Sequence, residues 1–259
     1  MLLYLGDDFL SIFKTRALVL KNKDFKENDR LIWLFTEKLG KISVVVHGAR
    51  KTKSKNMFLT LPFCFGEYVV FKGKSMYTLN EGQIEESFQS LLNDLDTLTY
   101  ASYLNELIEI SMVEEEVNKE LFKDLIVTYY LIKNKVGDLE SLIRAFEVKL
   151  LKHTGYGLNL ETCCQCGKKL NTSNLISIQY FGVICSECNK NSAYSISFAA
   201  VNTLKYLIKI PLENVYKTII SKEVKEELEN LLSIFISQSY AKKPNSLEFI
   251  KLLRSDKNG

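Results

Sequence analysis

Hydrophobic and polar residues follow a strand-like pattern through the first third of the chain. Short β-branched and aromatic runs, each closed by a polar or glycine-containing turn, predict five strands. The runs are residues 17–20, 30–36, 42–46, 63–71 and 76–84. Because closure removes the exposed edges of so small a sheet, this pattern predicts a closed barrel. The strand number is typical of an OB-type barrel, and an SH3-like barrel is the alternative.

Near Ser87 the pattern changes to a helical period, in which leucine and isoleucine recur at intervals of three and four residues. Predicted helices cover residues 91–108, 121 to near Gly137, 139–150, 198–210, 221–240 and 247–253. The predicted fold class is therefore α+β. Residues 1–86 form the barrel domain, with an extension at 1–13, and residues 87–259 form a helical domain.

Four of the six cysteines form two C-x2-C pairs between the third and fourth of these helices. The pairs are Cys163 with Cys166 and Cys185 with Cys188. Two intervening residues let one tight turn direct both sulfurs at the same ion, and Gly167 supplies the positive φ that such a turn often needs. The spacing predicts a closed tetrahedral Zn²⁺ site, structural rather than catalytic, in a module at residues 159–196. Cys164 is a competing ligand by position, and buried or redox-active cysteines are the alternative interpretation.

The composition is that of an ordinary globular protein, with 46% hydrophobic and 25% charged residues. No apolar run approaches the roughly 18 residues that a membrane span requires. The first ten residues include Asp7 and Asp8 and lack a basic leader. We therefore expect a cytoplasmic protein with no membrane partner, in which the grouped cysteines bind metal rather than form disulfides.

The net charge of +3 conceals a segregation of charge along the chain. Residues 14–75 contain fourteen Lys or Arg residues against five Asp or Glu residues, whereas the rest of the chain is acidic on balance. A basic segment on an acidic body indicates that the segment binds a polyanion. A purely solvating role for these lysines is the alternative.

The densest positive charge falls in the loop between the third and fourth predicted strands. This loop carries Arg50, Lys51, Lys53 and Lys55. Cations on a loop beside a barrel are suited to phosphate contacts, which add affinity and salt dependence without reading base sequence. Predicted turns that extend the patch carry Lys38, Lys41, Lys72 and Lys74. Trp33, Phe58 and Phe63 are candidates for base stacking, although apolar neighbours favour a core position for Trp33 and Phe63.

Catalytic motifs are missing from the sequence. The two histidines, His47 and His153, have no nucleophile in a recognisable motif beside them. Neither G-x-x-x-x-G-K-[ST] nor a G-x-G-x-x-G motif after a strand occurs, which disfavours nucleotide hydrolysis and dinucleotide chemistry. The acidic run at residues 114–116 is interpreted as a solvated helix end. We therefore expect a protein that is not an enzyme.

In their order along the chain, several segments resemble the RecO family of bacterial recombination mediator proteins. They are Ala17–Leu20, Glu27–Arg30, Thr36–Lys41, Gly48–Ser54, Phe146–Leu151, Gly155–Tyr156 and the two cysteine pairs. The resemblance covers about residues 14–254, so that residues 1–13 are an addition to the usual start. The ordered set is far more specific than any one segment.

This resemblance implies an N-terminal OB-fold, a helical domain and an inserted zinc-finger-like module. It implies binding of single- and double-stranded DNA, annealing of complementary strands, and work with RecR to load RecA onto DNA coated by single-strand-binding protein. The positions that match the family's zinc ligands are Cys163, Cys166, Cys185 and Cys188. Those that match its basic loop and turn lysine are Arg50, Lys51, Lys53 and Lys41. The full predicted set of DNA contacts is Lys38, Lys41, Arg50, Lys51, Lys53 and Lys55.

Three other interpretations of the same residues remain open. The helical body and the zinc module are suited to recruiting protein partners, in which case the protein is an interaction scaffold. An OB barrel can also bind RNA in place of DNA. An enzyme such as a zinc hydrolase or nuclease is the third alternative.

Overall fold

The chain divides into two compact units. One contains the residues up to Ile126 together with the segment from Pro244, and the other is Val127–Lys243. A computed structural model describes residues 11–74, 76–188, 190–191 and 193–250. Residues 1–10 of the predicted extension and residues 251–253 of the predicted last helix lie outside this description, while residues 246–250 are helical. The first unit contains the barrel and the second contains both cysteine pairs.

Five strands close into a barrel in the first unit. They are β1 (Ser11–Phe25), β2 (Asp29–Thr36), β3 (Gly40–Val46), β4 (Cys64–Lys72) and β5 (Tyr77–Ser87). Their order is β1-β2-β3-β5-β4, with β4 paired back to β1 and a parallel pairing between β3 and β5. This is the arrangement of an OB-fold, so the predicted barrel type is confirmed. Because β1 begins at Ser11, the end of the predicted extension belongs to the barrel.

The strand order explains why the connection between β3 and β4, which carries the basic loop, is long. β3 pairs with β2 and β5, whereas β4 pairs with β5 and β1, so β3 and β4 are not neighbours. A tight hairpin joins only adjacent antiparallel strands, and the chain must therefore travel a longer path from Val46 to Cys64. A short 3-10 helix at Phe58–Thr60 lies on this path.

Inward-pointing side chains of alternate strand residues form the barrel core. Ile32 and Leu34 of β2 are fully buried, while Trp33 between them is only half-buried. Leu59 of the 3-10 helix joins the same core cluster, and the Tyr68 hydroxyl donates to the Leu59 carbonyl at 3.1 Å. The segment between β3 and β4, called here the crossing segment (residues 47–63), is thus attached to the barrel by apolar packing and by hydrogen bonds, which include one from the Asn22 side chain to the Thr60 carbonyl at 2.6 Å.

Two helices follow the barrel, α1 (Leu95–Ser111) and α2 (Lys119–Lys133). Asp94 caps the start of α1, and its carboxylate accepts the N–H of Thr97 at 3.1 Å. The Asn105 side chain donates to the Leu20 carbonyl of β1 at 2.7 Å. α1 is therefore hydrogen-bonded to the barrel, and it groups with the barrel in one compact unit although the sequence pattern places a domain boundary at residue 87.

The second unit is helical, with α3 (Leu139–His153), α4 (Phe198–Lys209) and α5 (Lys222–Tyr240). Asp138, Ser197 and Ser221 cap these helices, each accepting the N–H of the residue three positions later. Arg144 and Glu147 are buried on α3 and form an ion pair at 3.2 Å. None of the described helices is long and apolar enough to cross a membrane.

Between α3 and α4 lies the four-cysteine module. It contains three very short strands in the order β7-β6-β8, namely β6 (Leu175–Ser177), β7 (Gly182–Val183) and β8 (Ala193–Ser195). Phe181, just before β7, stacks on Phe235 of α5 with ring centroids 5.0 Å apart and contacts Tyr156 at 5.4 Å. This aromatic cluster attaches the module to the helices of the same unit.

Replacing Leu59 by Ala tests how much this core side chain of the crossing segment contributes to the stability of the barrel. We expect Leu59→Ala to lower the free energy of unfolding by about 2–4 kcal/mol, because a buried side chain leaves a cavity. Phe58→Ala is the matched control, since Phe58 is 59% exposed and its removal should change stability by less than about 0.5 kcal/mol. Fluorescence of Trp33, the one tryptophan, reports barrel unfolding in urea. Equal losses in both variants would contradict the assignment.

Candidate metal centre and nucleic-acid interface

The four predicted ligand cysteines converge on one point in the second unit. Their sulfur atoms all lie within 4.8 Å of one another. Cys163 Sγ lies 3.8 Å from Cys188 Sγ, and Cys166 Sγ lies 3.8 Å from Cys185 Sγ. Thiolates bound at about 2.3 Å to a tetrahedral metal ion stand about 3.8 Å apart. The arrangement therefore fits a four-coordinate ion held by sulfur alone.

Backbone turns aim these sulfurs at the shared point. Gly167 has a φ of 75°, in the left-handed region that glycine adopts without strain. Its N–H donates to the Cys163 carbonyl at 2.9 Å, and the Cys163 N–H donates to the Lys168 carbonyl at 2.8 Å. The Cys185 N–H points at Cys163 Sγ from 3.4 Å. The chain thus folds one tight turn around the first pair and brings the second pair against it.

The electrostatics of the cluster favour a bound cation. Burial opposes ionisation of Cys163, but backbone N–H groups of Cys166 and Cys185 outweigh it and lower the pKa of the Cys163 thiol to about 6. Contacts with the thiols of Cys185 and Cys166 raise the pKa of Cys188. Crowded thiols cannot all ionise unless a positive charge offsets their repulsion. A divalent metal ion bound here would supply that charge, and its binding would release the thiol protons.

The two remaining cysteines stand outside the group. The Cys164 thiol faces the Gly182 carbonyl at 3.8 Å, and burial raises its pKa. Cys64 lies in the barrel core, 1% exposed, where burial also raises the thiol pKa. Although Cys164 is adjacent in sequence to a ligand, its side chain is directed away from the metal position.

Three cations of the basic loop are available to a partner. Lys51, Lys53 and Lys55 are all exposed. Within the part of the chain that the structure describes, their ammonium groups form no ion pair or hydrogen bond. Charges of this kind, on a loop that crosses the barrel end, are free to approach a phosphate chain.

Arg50 occupies a different position from the three lysines. Its guanidinium donates to the carbonyls of Lys26 at 3.1 Å and Glu27 at 3.0 Å, and it lies 3.3 Å from the Asp24 carboxylate. These partners all belong to the end of β1 and the turn that follows it. Arg50 therefore ties the start of the basic loop to the β1–β2 turn.

The carboxylate of Asp29, the first residue of β2, also binds the beginning of the basic loop. One carboxylate oxygen accepts the Gly48 N–H at 2.9 Å, and the other contacts His47 Nδ1 at 2.9 Å. The bond from Gly48, followed by that from His47, lowers the pKa of the Asp29 carboxyl. Together with Arg50, this carboxylate fixes where the exposed lysines begin.

The two turn lysines make contacts within the first unit. The Lys38 ammonium is exposed and donates to the Lys14 carbonyl at 3.1 Å. The Lys41 ammonium is half-buried and donates to the Glu109 carbonyl at 2.7 Å, near the C-terminal end of α1 where carbonyls lack helical partners. Lys41 therefore joins α1 to the barrel, whereas Lys38 still presents its charge to solvent.

Of the three candidate stacking aromatics, Phe58 is the most accessible. Its side chain is 59% exposed and follows the basic loop directly. Phe63 is 7% exposed, as its apolar neighbours predict. Trp33 is half-buried, and the Lys21 ammonium covers its ring at 4.7 Å from the centroid. An exposed ring beside exposed lysines is the combination that binds unpaired bases.

One contact could not be found from sequence periodicity. The acidic run at residues 114–116 is solvent-exposed, as expected, but its backbone also pairs with β3, where the Glu115 N–H donates to the Lys41 carbonyl at 2.9 Å. The Glu115 carboxylate in turn binds the Lys72 ammonium. No local pattern signals this contact, because its partners are separated by tens of residues.

Comparison with known proteins identifies relatives along nearly the whole chain. A family model described as "Recombination protein O N terminal" matches residues 10–88, and one described as "Recombination protein O C terminal" matches residues 92–248. The chain is 54% identical to the DNA repair protein RecO of Clostridium novyi, across 96% of this chain and 98% of the relative. The protein of the same name from Clostridium acetobutylicum is 52% identical across 95% and 100%. That of Alkaliphilus metalliredigens is 35% identical across 87% and 92%.

Metal analysis of cysteine variants tests the ligand assignment. We expect the purified protein to carry about one divalent ion per chain and Cys166→Ser to lose most of it, because three thiolates no longer close the tetrahedron. Cys164→Ser is the matched control and should keep its metal, since that thiol is directed elsewhere. Elemental analysis by mass spectrometry reads both. Metal loss in the control, or retention in Cys166→Ser, would refute the assignment.

Proposed function

The chain belongs to the RecO family, and on that premise we propose that it is a DNA repair protein whose barrel binds the phosphate backbone of DNA. The observation that carries this proposal is the group of exposed, unpaired lysines at 51, 53 and 55 beside the exposed ring of Phe58. Lysine ammonium groups contact phosphates without reading base sequence, and an aromatic ring stacks on any base. Binding is therefore independent of DNA sequence.

Annealing of complementary strands follows from the same surface. Two DNA strands repel each other through their phosphates, and cations that neutralise those phosphates lower the repulsion. Contacts to phosphates leave the base edges free to pair. The protein thus promotes annealing with no covalent step, and it acts as a mediator rather than as an enzyme.

The proposal extends to the partners of the recombination reaction. The protein works with RecR to load RecA onto DNA that is coated by single-strand-binding protein. Membership of the family supports this part. The DNA-binding part is supported by the exposure of the loop lysines, because the contacts of Arg50 and Asp29 involve only the beginning of the loop.

The metal ion in this proposal is Zn²⁺. Four thiolates in a tetrahedron are a ligand set for zinc, and the set leaves no position for a water molecule. The residues that hold the ion are Cys163, Cys166, Cys185 and Cys188. The ion's role is to stabilise the module between α3 and α4, whose strands are only two or three residues long.

Salt dependence of DNA binding tests the contribution of the loop lysines. We expect the combined change of Lys51, Lys53 and Lys55 to Gln to weaken binding of oligo(dT) at least about tenfold at moderate salt. The slope of log affinity against log salt should become shallower by about 2, because each lost single-strand phosphate contact removes about 0.7. Fluorescence anisotropy of labelled oligo(dT) measures both quantities.

A matched triple variant controls for net charge. Lys152, Lys169 and Lys217 are exposed lysines of the second unit, and their change to Gln removes the same charge. This control should leave the salt slope nearly unchanged. If both triple variants lose the same slope, binding is non-specific attraction to the whole chain, and the assignment of the loop is wrong.

Strand annealing tests the proposed function itself. The protein should accelerate pairing of complementary DNA oligonucleotides several-fold at moderate salt, and the loop variant should lose most of that acceleration while the matched control keeps it. Quenching between dyes on the two strands follows the reaction. Complementary RNA strands run in parallel distinguish the two nucleic acids. No acceleration by the unmodified protein, or acceleration of RNA alone, would rule out a DNA annealing function.

A further inference from the structure

A polar cleft lies on the barrel where β3, the β4–β5 turn and the segment after α1 meet. Its volume is about 200 Å³, which is room for several water molecules. The lining residues include Ser43, Lys72, Lys74, Tyr77, Glu114 and Glu115. The Lys72 ammonium lies 5.4 Å above the centre of the Tyr77 ring. The cleft thus has a positively charged group held over an aromatic face.

That positive charge already has an anionic partner from the same chain. Both carboxylate oxygens of Glu115 accept hydrogen bonds from the Lys72 ammonium, at 2.8 and 2.6 Å. The Ser43 hydroxyl donates to the Glu114 carboxylate at 3.1 Å. The hydrogen bond to the Glu115 carboxylate raises the pKa of Lys72, because it favours the charged ammonium. Two glutamates therefore occupy the polar groups that line the cleft.

The backbone of this acidic segment lies directly against β3. β5 pairs with β3 at Val44 and Val45, and Glu114 forms a parallel bridge with Lys41. A Cβ on Gly40 would lie 2.1 Å from the Glu116 carbonyl oxygen, so the segment needs glycine at that position. The acidic segment thus covers the beginning of β3.

The ion pair between Lys72 and Glu115, unlike the backbone pairing with β3, is a contact that solvent can replace. Lys72 is 45% exposed and Glu115 is 48% exposed, and ion pairs at such sites are weak and screened by salt. Glu115 also has a φ of 63°, a left-handed conformation that costs energy in any residue with a side chain. A competing anion can therefore displace the Glu115 carboxylate from Lys72 while the backbone pairing with β3 remains.

We propose that Lys72 and Ser43 form a second phosphate-binding subsite, which the carboxylates of Glu114 and Glu115 occupy until a nucleic-acid phosphate displaces them. This inference rests on the proposed function. A phosphodiester presents two oxygens to one ammonium much as a carboxylate does, and phosphates arrive along a strand already bound elsewhere on the barrel. The Glu115 carboxylate is therefore an internal competitor that lowers the affinity for single strands.

Neutralising the competitor should tighten binding. We expect Glu115→Gln to raise the affinity for labelled oligo(dT) about twofold to fivefold, the range that loss of one exposed ion pair allows. Glu116→Gln is the matched control, because it removes the same charge one residue away and Glu116 has no described side-chain partner. Its affinity should rise less than that of Glu115→Gln. Fluorescence anisotropy with the full-length chain measures each variant.

A double-mutant cycle separates competition from simple charge repulsion. In a Lys72→Gln background, Glu115→Gln should gain no more affinity than Glu116→Gln does, because the shared cation is gone. Equal gains from Glu115→Gln and Glu116→Gln in the unmodified background would overturn the inference while the proposed function stands. An advantage of Glu115→Gln over Glu116→Gln that persists without Lys72 would overturn it as well. If the unmodified protein does not bind oligo(dT) in a salt-dependent way, both this inference and the proposed function are wrong.

Discussion

Closure of the five-stranded barrel determines where the chemistry of the first unit is placed. With the order β1-β2-β3-β5-β4, β3 and β4 are separated by β5, so the connection between them must cross the barrel end. That crossing is held at one point by Leu59 in the core and at another by Arg50 on the β1–β2 turn. The residues between these anchors have no place in the core, and they carry the free lysines. An exposed basic loop is thus a consequence of the topology combined with the polar sequence that fills it.

Incomplete pairing of β3 has a second consequence. β5 contacts β3 at Val44 and Val45, and the acidic segment after α1 pairs with the earlier part of the strand. The acidic run provides hydrogen-bond partners both for the exposed backbone edge of β3 and for a lysine ammonium. On our proposal, these contacts stabilise the protein without DNA and lower its affinity for other anions. The four-cysteine module depends on different interactions: its strands are only two or three residues long, and an ion bound by the four sulfurs would stabilise it.

Local signals in the sequence predicted the parts that depend on local chemistry. β-branched runs located all five strands, the Asp138 cap located α3, and the spacing of the cysteine pairs located four sulfurs that meet within 4.8 Å. The bonds of Arg50 and Glu115 could not be predicted, because each joins groups that are far apart in sequence and meet only in the folded protein. The sequence alone does not distinguish a loop cation that is free to contact DNA from one that is hydrogen-bonded to a neighbouring turn of the protein. Only the position of its partners separates the two roles.

Crosslinking is the most direct test of the idea that the loop across the barrel end grips single-stranded DNA. The full-length protein would be irradiated in complex with oligo(dT), and the crosslinked peptides identified by mass spectrometry. The account predicts that crosslinks concentrate in residues 47–60 and include the exposed ring of Phe58. Crosslinks confined to Val127–Lys243, with none in the loop, would contradict it.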